Sequence, residues 1–155
     1  MRRVVFVCWG NICRSPMGER VAQKRFAEAG LGDVEVTSAG VSDEETGRPI
    51  DRRAQSVLAE HGFTTGGHRA HRITRAEVDE ADLVLAFEPL HLDRLRRIAP
   101  EATNLRLVTD FDPDAEPGSG IDDPWYGGRE DFEGTLAAIE AAMPGIVDRV
   151  RDLPR

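Results

Sequence analysis

Near the start of the chain, an apolar run of residues gives way abruptly to a polar segment, and this boundary limits the possible folds. Arg3 to Cys8 is a run of β-branched and aromatic residues, which is typical of a buried strand. The residues that follow are polar and include Gly10, which predicts a loop. Ser15 can cap the free amides of a helix, and Pro16 already has a helical φ, so a helix is predicted to begin there. A strand, a short loop and a helix in this order are typical of an α/β fold.

The same alternation continues along the chain, so the pattern predicts one α/β domain over residues 1–155. Further strands are expected at 34–39, 81–87 and 104–108, and further helices at 51–60, 89–98 and 131–150, the last with a kink at Pro144. Strands that alternate with helices predict an open sandwich, in which helices flank a four-stranded parallel sheet.

Ligands of such folds bind at the carboxyl ends of the strands, close to the point where the strand order reverses. The loop after the first predicted strand is one such end. A second candidate is the stretch from Asp110 to Glu130, which is rich in Asp, Pro and Gly and too long to be a simple connection.

The first loop has the chemistry of a phosphate-binding site. Backbone amides of a loop that wraps toward a helix N-terminus form a nest for a tetrahedral oxyanion. The same field favours the thiolate of Cys8, Arg14 offers a planar fork of donors to two phosphate oxygens, and Ser15 can donate to the sulfur. The intervening residues that would surround the phosphate are Trp9, Gly10, Asn11, Ile12 and Cys13. The Gly-Lys-Ser/Thr of nucleotide-binding loops is missing, so binding without a metal ion or another cofactor is expected.

Charge and cysteine content narrow the functional class. The chain has 20 basic and 28 acidic residues and a net charge of −8, which disfavours binding to nucleic acid. The apolar run before Cys8 is too short for a secretion signal, and no membrane span is expected. Both cysteines lie in one loop, where they suit reactive thiols in a reducing compartment better than a disulfide framework. We therefore expect a cytoplasmic protein, acting as a monomer.

The segment Cys8–Met17, CWGNICRSPM, resembles the signature of the low-molecular-weight protein tyrosine phosphatases. Similar family positions follow in the same order at Ser38-Ala39-Gly40, Arg53-Ala54, His61-Gly62 and Asp123-Pro124-Trp125-Tyr126-Gly127. The resemblance implies metal-independent hydrolysis of tyrosine-phosphorylated proteins through a phosphocysteine intermediate.

The resemblance also implies individual roles. Cys8 is the nucleophile, Arg14 binds the phosphate, and Asp123 is the general acid and then the general base. Asn11, Ser38 and His61 are expected to support the loop, and Trp9, Trp125 and Tyr126 to wall an aromatic slot.

Three residues depart from the family pattern. Glu88 stands where the family usually has Asp, Glu44 where several members have an aromatic residue, and Trp9 where a small or aliphatic residue is commoner. We expect Trp9 to line the slot and to narrow the tolerance for residues that flank the phosphotyrosine.

Three alternative functions stay open. Arsenate reductases of this fold use further cysteines downstream, and this chain has none after Cys13. Protein-arginine phosphatases resemble the loop but carry Thr where this chain has Ile12. A noncatalytic phosphate-binding module would need neither Cys8 nor Asp123, and both are present.

Some smaller features also permit two interpretations. Cys13 is either a small buried residue or the partner of Cys8 in a reversible disulfide. His68 and His71 are interpreted as exposed histidines of a turn rather than metal ligands.

Overall fold

The computed structural model describes residues 1–155 and confirms an α/β fold with a four-stranded parallel sheet. The strands are β1 (Arg3–Cys8), β2 (Glu35–Gly40), β3 (Leu83–Ala86) and β4 (Leu105–Leu107). The helices are α1 (Arg14–Glu28), α2 (Arg52–Glu60), α3 (Arg75–Glu80), α4 (Pro89–Ile98) and α5 (Arg129–Arg151). Two short 3₁₀ helices cover Val108–Phe111 and Pro124–Tyr126.

The strand order is β2-β1-β3-β4, and every neighbouring pair is parallel. In the central strand, Val4 is opposite Val36 of β2 on one side and Leu83 of β3 on the other. The chain moves outward from β1 to β2 and then returns to the other side of β1, so the order reverses between β1 and β3. Loops that leave the carboxyl ends of these two strands diverge there and leave a crevice.

The alternation of side chains along β1 divides the core into two layers. Val4 and Phe6 pack with buried residues of α1, α2 and α5 on one face of the sheet. Val5 and Val7 pack with residues of α3 and α4 on the other face. Because both faces are covered, the two central strands are continuously apolar, β1 from Val4 onward and β3 throughout, as expected for buried strands of a parallel sheet.

Gly18 allows α1 to lie close to the sheet. A Cβ at this position would be 2.7 Å from Cδ1 of Phe6 and 3.0 Å from Cζ of Phe87. Both rings are fully buried, with their centroids 6.2 Å apart. The glycine therefore sets the depth at which the N-terminus of α1 approaches the end of β1.

The structure differs from the expected elements mainly at their ends. Helix α3 was not predicted, although Thr74 and Glu77 form its capping box. The expected strand at 81–87 is shortened because Ala81 ends α3 instead. Helix α5 begins two residues before the predicted start and continues through Pro144 to Arg151. None of the helices is both long enough and apolar enough to span a membrane.

Candidate active site

The loop between β1 and α1, residues 8–15, is called the phosphate loop below. It borders a cavity of about 240 Å³ at the carboxyl end of β1. Nine of the residues expected at the site line this cavity: Cys8, Trp9, Gly10, Ile12, Cys13, Arg14, Asp123, Trp125 and Tyr126. Glu44 and Glu45 complete the wall. Asn11 and Ser15 belong to the same loop, but they are fully buried and do not line the cavity.

Asn11 determines the path of the phosphate loop. Its φ is +61°, the only positive value at a residue other than glycine. Asn tolerates this left-handed conformation better than most residues, although it still costs about 1–3 kcal/mol. Three contacts stabilise it: the side-chain Nδ2 donates to Ser15 Oγ (2.8 Å) and Ser38 Oγ (3.0 Å), and Oδ1 accepts from the backbone N–H of His71 (3.1 Å).

This network also orients the hydroxyl of Ser15. Ser38 Oγ donates to Glu19 Oε1 at 2.9 Å and accepts from Asn11, and Ser15 Oγ accepts from the same amide. Ser15 Oγ lies 3.0 Å from Cys8 Sγ. Because Asn11 fills an acceptor position of Ser15, the hydroxyl proton is free to point at the sulfur when Cys8 is a thiolate.

The prediction that His61 supports this network was wrong. Its Nε2 is 2.9 Å from Glu133 on α5, and the side chain is about half exposed. His68 takes the place assigned to His61, with Nε2 2.7 Å from the carbonyl oxygen of Asn11. Burial lowers the pKa of His68, so the neutral ring donates this hydrogen bond.

The interpretation of His68 as an exposed histidine of a turn also needs correction, because its side chain is partly buried, whereas His71 is exposed as expected. Residues 68–73 run beside the end of β2, because Gly40 N–H donates to the His71 carbonyl and Ile73 N–H donates to the Gly40 carbonyl. This brings His68 and the backbone of His71 to Asn11. The His71 ring pairs with Glu77 at 2.8 Å, which raises the pKa of His71.

Arg14 connects the carboxyl ends of β1 and β3. Its guanidinium is almost fully buried, and Nη1 donates to Glu88 Oε2 at 2.6 Å and to the carbonyl of Ile121 at 2.8 Å. Glu88 follows β3, so the ion pair spans the reversal of strand order. Nε and Nη2 donate no hydrogen bond within the protein, and Arg14 lines the cavity. Nε and Nη2 can therefore donate to an anion in the cavity, beside the Asp123 carboxylate that lies 3.5 Å from Nη2.

Residues 122–128 are called the acid loop below. Three of its side chains, Asp123, Trp125 and Tyr126, form one wall of the cavity. Asp123 Oδ2 is 3.5 Å from Arg14 Nη2, and Asp123 Oδ1 accepts from the backbone N–H of Trp125 at 3.1 Å. The latter bond caps the short helix Pro124–Tyr126 and fixes the orientation of the carboxylate. Tyr126 is 94% exposed and Trp125 38%, so an aryl group in the cavity would bury their surface.

Trp9 forms another wall of the cavity. Its Nε1 donates to Glu44 Oε2 at 3.1 Å, and the guanidinium of Arg94 lies 4.8 Å from the ring centroid. Hydrogen bonding at the edge and a cation–π contact on the face together orient the indole. The unusual Glu44 is therefore a partner of the equally unusual Trp9.

The two cysteines differ in environment. Burial first, and then the negative charge of Asp51, raise the pKa of Cys13 far above its usual range. Cys13 is thus a thiol that packs in the apolar core, and both cysteines are unbridged. Cys8 is the cysteine that contacts the hydroxyl of Ser15.

Comparison with known proteins gives the family. The model of the low molecular weight phosphotyrosine protein phosphatases matches residues 3–153. The chain is a member of the low-molecular-weight protein tyrosine phosphatases. It is 44% identical to a low molecular weight protein-tyrosine-phosphatase of Streptomyces coelicolor, over 97% of this chain and 94% of that protein. It is 35% identical to the corresponding pig phosphatase, over 97% and 96% of the two chains.

Solved structures of similar proteins have the same fold. Vibrio vulnificus Wzb, solved in complex with benzylphosphonate, is 31% identical, with a TM-score of 0.84 over 96% of this chain and 98% of that chain. Bacillus subtilis YfkJ is 27% identical, with a TM-score of 0.90 over 97% and 95%. Like the relatives named as phosphatases, this family member is an enzyme of the hydrolase class.

The sequence did not predict that four further residues contact the loops or line the cavity of the phosphatase site. Glu19 accepts from Ser38 behind the phosphate loop, and His68 contacts the carbonyl of Asn11. Glu45 lines the cavity, and Arg53 binds carbonyl groups of the acid loop. Arg53 carried a signal in the sequence as part of the Arg53-Ala54 pair that resembles the family, whereas His68 was interpreted only as a turn histidine.

Proposed function

We propose that this chain hydrolyses phosphotyrosine in proteins without a metal ion, with Cys8 as nucleophile, Arg14 as phosphate ligand and Asp123 as general acid and base. The observation that carries the proposal is the convergence of these three side chains on one cavity at the reversal of strand order. The Vibrio vulnificus relative was solved with benzylphosphonate, which has an aryl group close to a phosphonate as phosphotyrosine has close to its phosphate.

In the first step, the Cys8 thiolate attacks phosphorus and the bond from phosphorus to the tyrosyl oxygen breaks. Asp123 gives its proton to that oxygen, which leaves as neutral tyrosine. Loop amides and the Nε and Nη2 groups of Arg14 bind the three phosphoryl oxygens as charge moves onto them.

In the second step, a water oxygen attacks phosphorus and the sulfur–phosphorus bond breaks. Asp123, now a carboxylate, takes a proton from that water. Cys8 leaves as a thiolate, which the hydroxyl of Ser15 stabilises by donating a hydrogen bond across the 3.0 Å separation. The products are inorganic phosphate and the starting enzyme.

The walls of the cavity support an aromatic substrate. The rings of Trp9, Trp125 and Tyr126 offer apolar surface to a phenyl ring, and a phosphoserine side chain has no ring to place there. We also propose that the protein acts in the cytoplasm, because a thiol nucleophile requires a reducing compartment. A monomer is supported by the exposed large apolar side chains, since two of the four, Trp125 and Tyr126, belong to the site itself.

The test is turnover in the presence of EDTA on a phosphotyrosine peptide, a phosphoserine peptide and a phosphoarginine substrate. We expect preference for phosphotyrosine and loss of turnover in Cys8→Ser. Preference for phosphoarginine would assign the sister activity instead. Phosphate binding without turnover on any substrate would identify a binding module.

The role of Asp123 has its own test. With aryl phosphates of graded leaving groups, Asp123→Asn should lower kcat/KM by about 10²–10⁴ for poor leaving groups and much less for good ones. If kcat/KM of Asp123→Asn depended on the leaving group in the same way as kcat/KM of the wild type, Asp123 would not be the general acid.

A further inference from the structure

We propose that Arg53, held by Asp51, is a positioning residue that links the acid loop to the phosphate loop and so fixes where Asp123 delivers its proton. This inference rests on the proposed function of the site. Arg53 does not line the cavity, so it acts through the loops that it joins.

The first half of the link connects Asp51 to the phosphate loop. The Asp51 backbone N–H donates to the carbonyl of Ile12 at 2.8 Å. Its carboxylate caps α2 by accepting from the Arg53 N–H at 2.8 Å. The carboxylate is therefore fixed relative to the phosphate loop before it meets the Arg53 guanidinium.

The second half connects Arg53 to the acid loop. Arg53 Nε and Nη2 each donate to a carboxylate oxygen of Asp51 at 3.1 Å, a bidentate pair. Nη1 then donates to the carbonyls of Trp125 (2.9 Å) and Gly127 (3.0 Å). The guanidinium also lies 5.2 Å from the Trp125 ring centroid and 4.7 Å from that of Phe132.

These contacts bear directly on the proposed acid. The turn that Arg53 holds by its carbonyls is the one whose Trp125 N–H donates to Asp123 Oδ1. Without Arg53, the acid loop would be connected to Arg14 through the 3.5 Å approach of Asp123 to Nη2 and through the bond from Nη1 to the Ile121 carbonyl just before the loop. The ammonium group of a lysine is a single point charge. It cannot bind the Asp51 carboxylate in bidentate fashion and donate to the carbonyls of Trp125 and Gly127 at the same time.

The experiment compares Arg53→Lys and Asp51→Asn with Arg52→Lys as the matched control. Arg52 is the exposed neighbour on the same helix, and its side chain makes no hydrogen bond or ion pair. Asn caps helices about as well as Asp, so Asp51→Asn removes the charge and keeps the cap. The readouts are kcat/KM for phenyl phosphate and p-nitrophenyl phosphate, and inhibition by inorganic phosphate.

We expect Arg53→Lys and Asp51→Asn to lower kcat/KM for phenyl phosphate, the poorer leaving group, by about 10-fold or more, a fraction of what general acid catalysis contributes. For p-nitrophenyl phosphate the loss should be much smaller, and inhibition by phosphate should stay within about 2-fold of the wild type, since the phosphate ligands are untouched. Guanidinium ion at low concentration should restore part of the phenyl phosphate activity of Arg53→Ala, and methylammonium should not.

Equal losses on both substrates, or an unchanged leaving-group dependence, would overturn the inference. Amide hydrogen exchange at residues 125–128 separates this failure from a failure of the proposed function. Faster exchange in Arg53→Lys than in Arg52→Lys is expected whether or not the protein turns over a phosphate ester. Unchanged exchange would overturn the link. Absence of Cys8-dependent turnover in the wild type would overturn the proposed function alone.

Discussion

His91 should make the stability of this protein depend on pH through a single buried group. The ring is fully buried, and Nδ1 accepts the backbone N–H of Glu88 at 3.1 Å, so the neutral ring carries its proton on Nε2. Nε2 has no hydrogen-bond partner. Burial, and then the positive charge of Arg14, lower the pKa of His91 from 6.5 to about 3. The Glu88 carboxylate is 3.6 Å from Nε2, but Arg14 already engages it at 2.6 Å.

The direction in which stability changes with pH follows from proton binding at His91. Below pH 6.5 the unfolded chain binds a proton at His91 that the folded protein does not bind until about pH 3. Stability is therefore lost as pH falls through this window. One pKa unit corresponds to about 1.4 kcal/mol, so lowering the pH from 7 to 5 costs about 2 kcal/mol at this residue.

His91→Asn keeps a side-chain acceptor and removes the titration. Urea unfolding at pH 7 and pH 5 measures the change in the free energy of unfolding for both proteins. The wild type should lose about 2 kcal/mol more than the variant, and any cavity left by Asn cancels in this difference. His71→Asn is the control of opposite sign, because its pKa is raised and His71 adds stability at low pH. Equal losses in wild type and His91→Asn would refute the reasoning.

Three further substitutions test the packing of α1 on the sheet, the packing behind the phosphate loop and the wall of the cavity. Gly40→Ala would place a Cβ 2.7 Å from the carbonyl oxygen of Trp9, so we expect kcat/KM to fall and thermal unfolding to show a loss of about 1–3 kcal/mol. Gly18→Ala should cost a similar amount of stability in urea, because the added Cβ meets the Phe6 ring. Trp9→Ala should widen tolerance among phosphopeptides that differ in their flanking residues, and equal specificity profiles for variant and wild type would disprove the role of Trp9.

The fold was largely predictable because its signals are local. β-branched runs marked the strands, and Ser15-Pro16 marked the start of α1 to within two residues. Helix α3 was missed because its six residues are too few to show a helical period. The Thr74–Glu77 capping box was its one local signal.

The candidate site was predictable only where the residues are close in sequence. The phosphate loop is continuous, so its residues could be named together. His61 and His68 could not be told apart, because what selects His68 is the pairing of residues 68–73 with the end of β2. Such a pairing is a tertiary contact that periodicity does not encode.

The partners of Arg14 have a consequence for the timing of activity during synthesis. The nucleophile and its loop leave the ribosome well before the groups that orient Arg14, which are Glu88 and the carbonyl of Ile121, with Asp123 beside them. A nascent chain that ends before these residues carries the whole phosphate loop but no partner to orient its guanidinium. The guanidinium can therefore be oriented only after the segment between the phosphate loop and Asp123 has been synthesised.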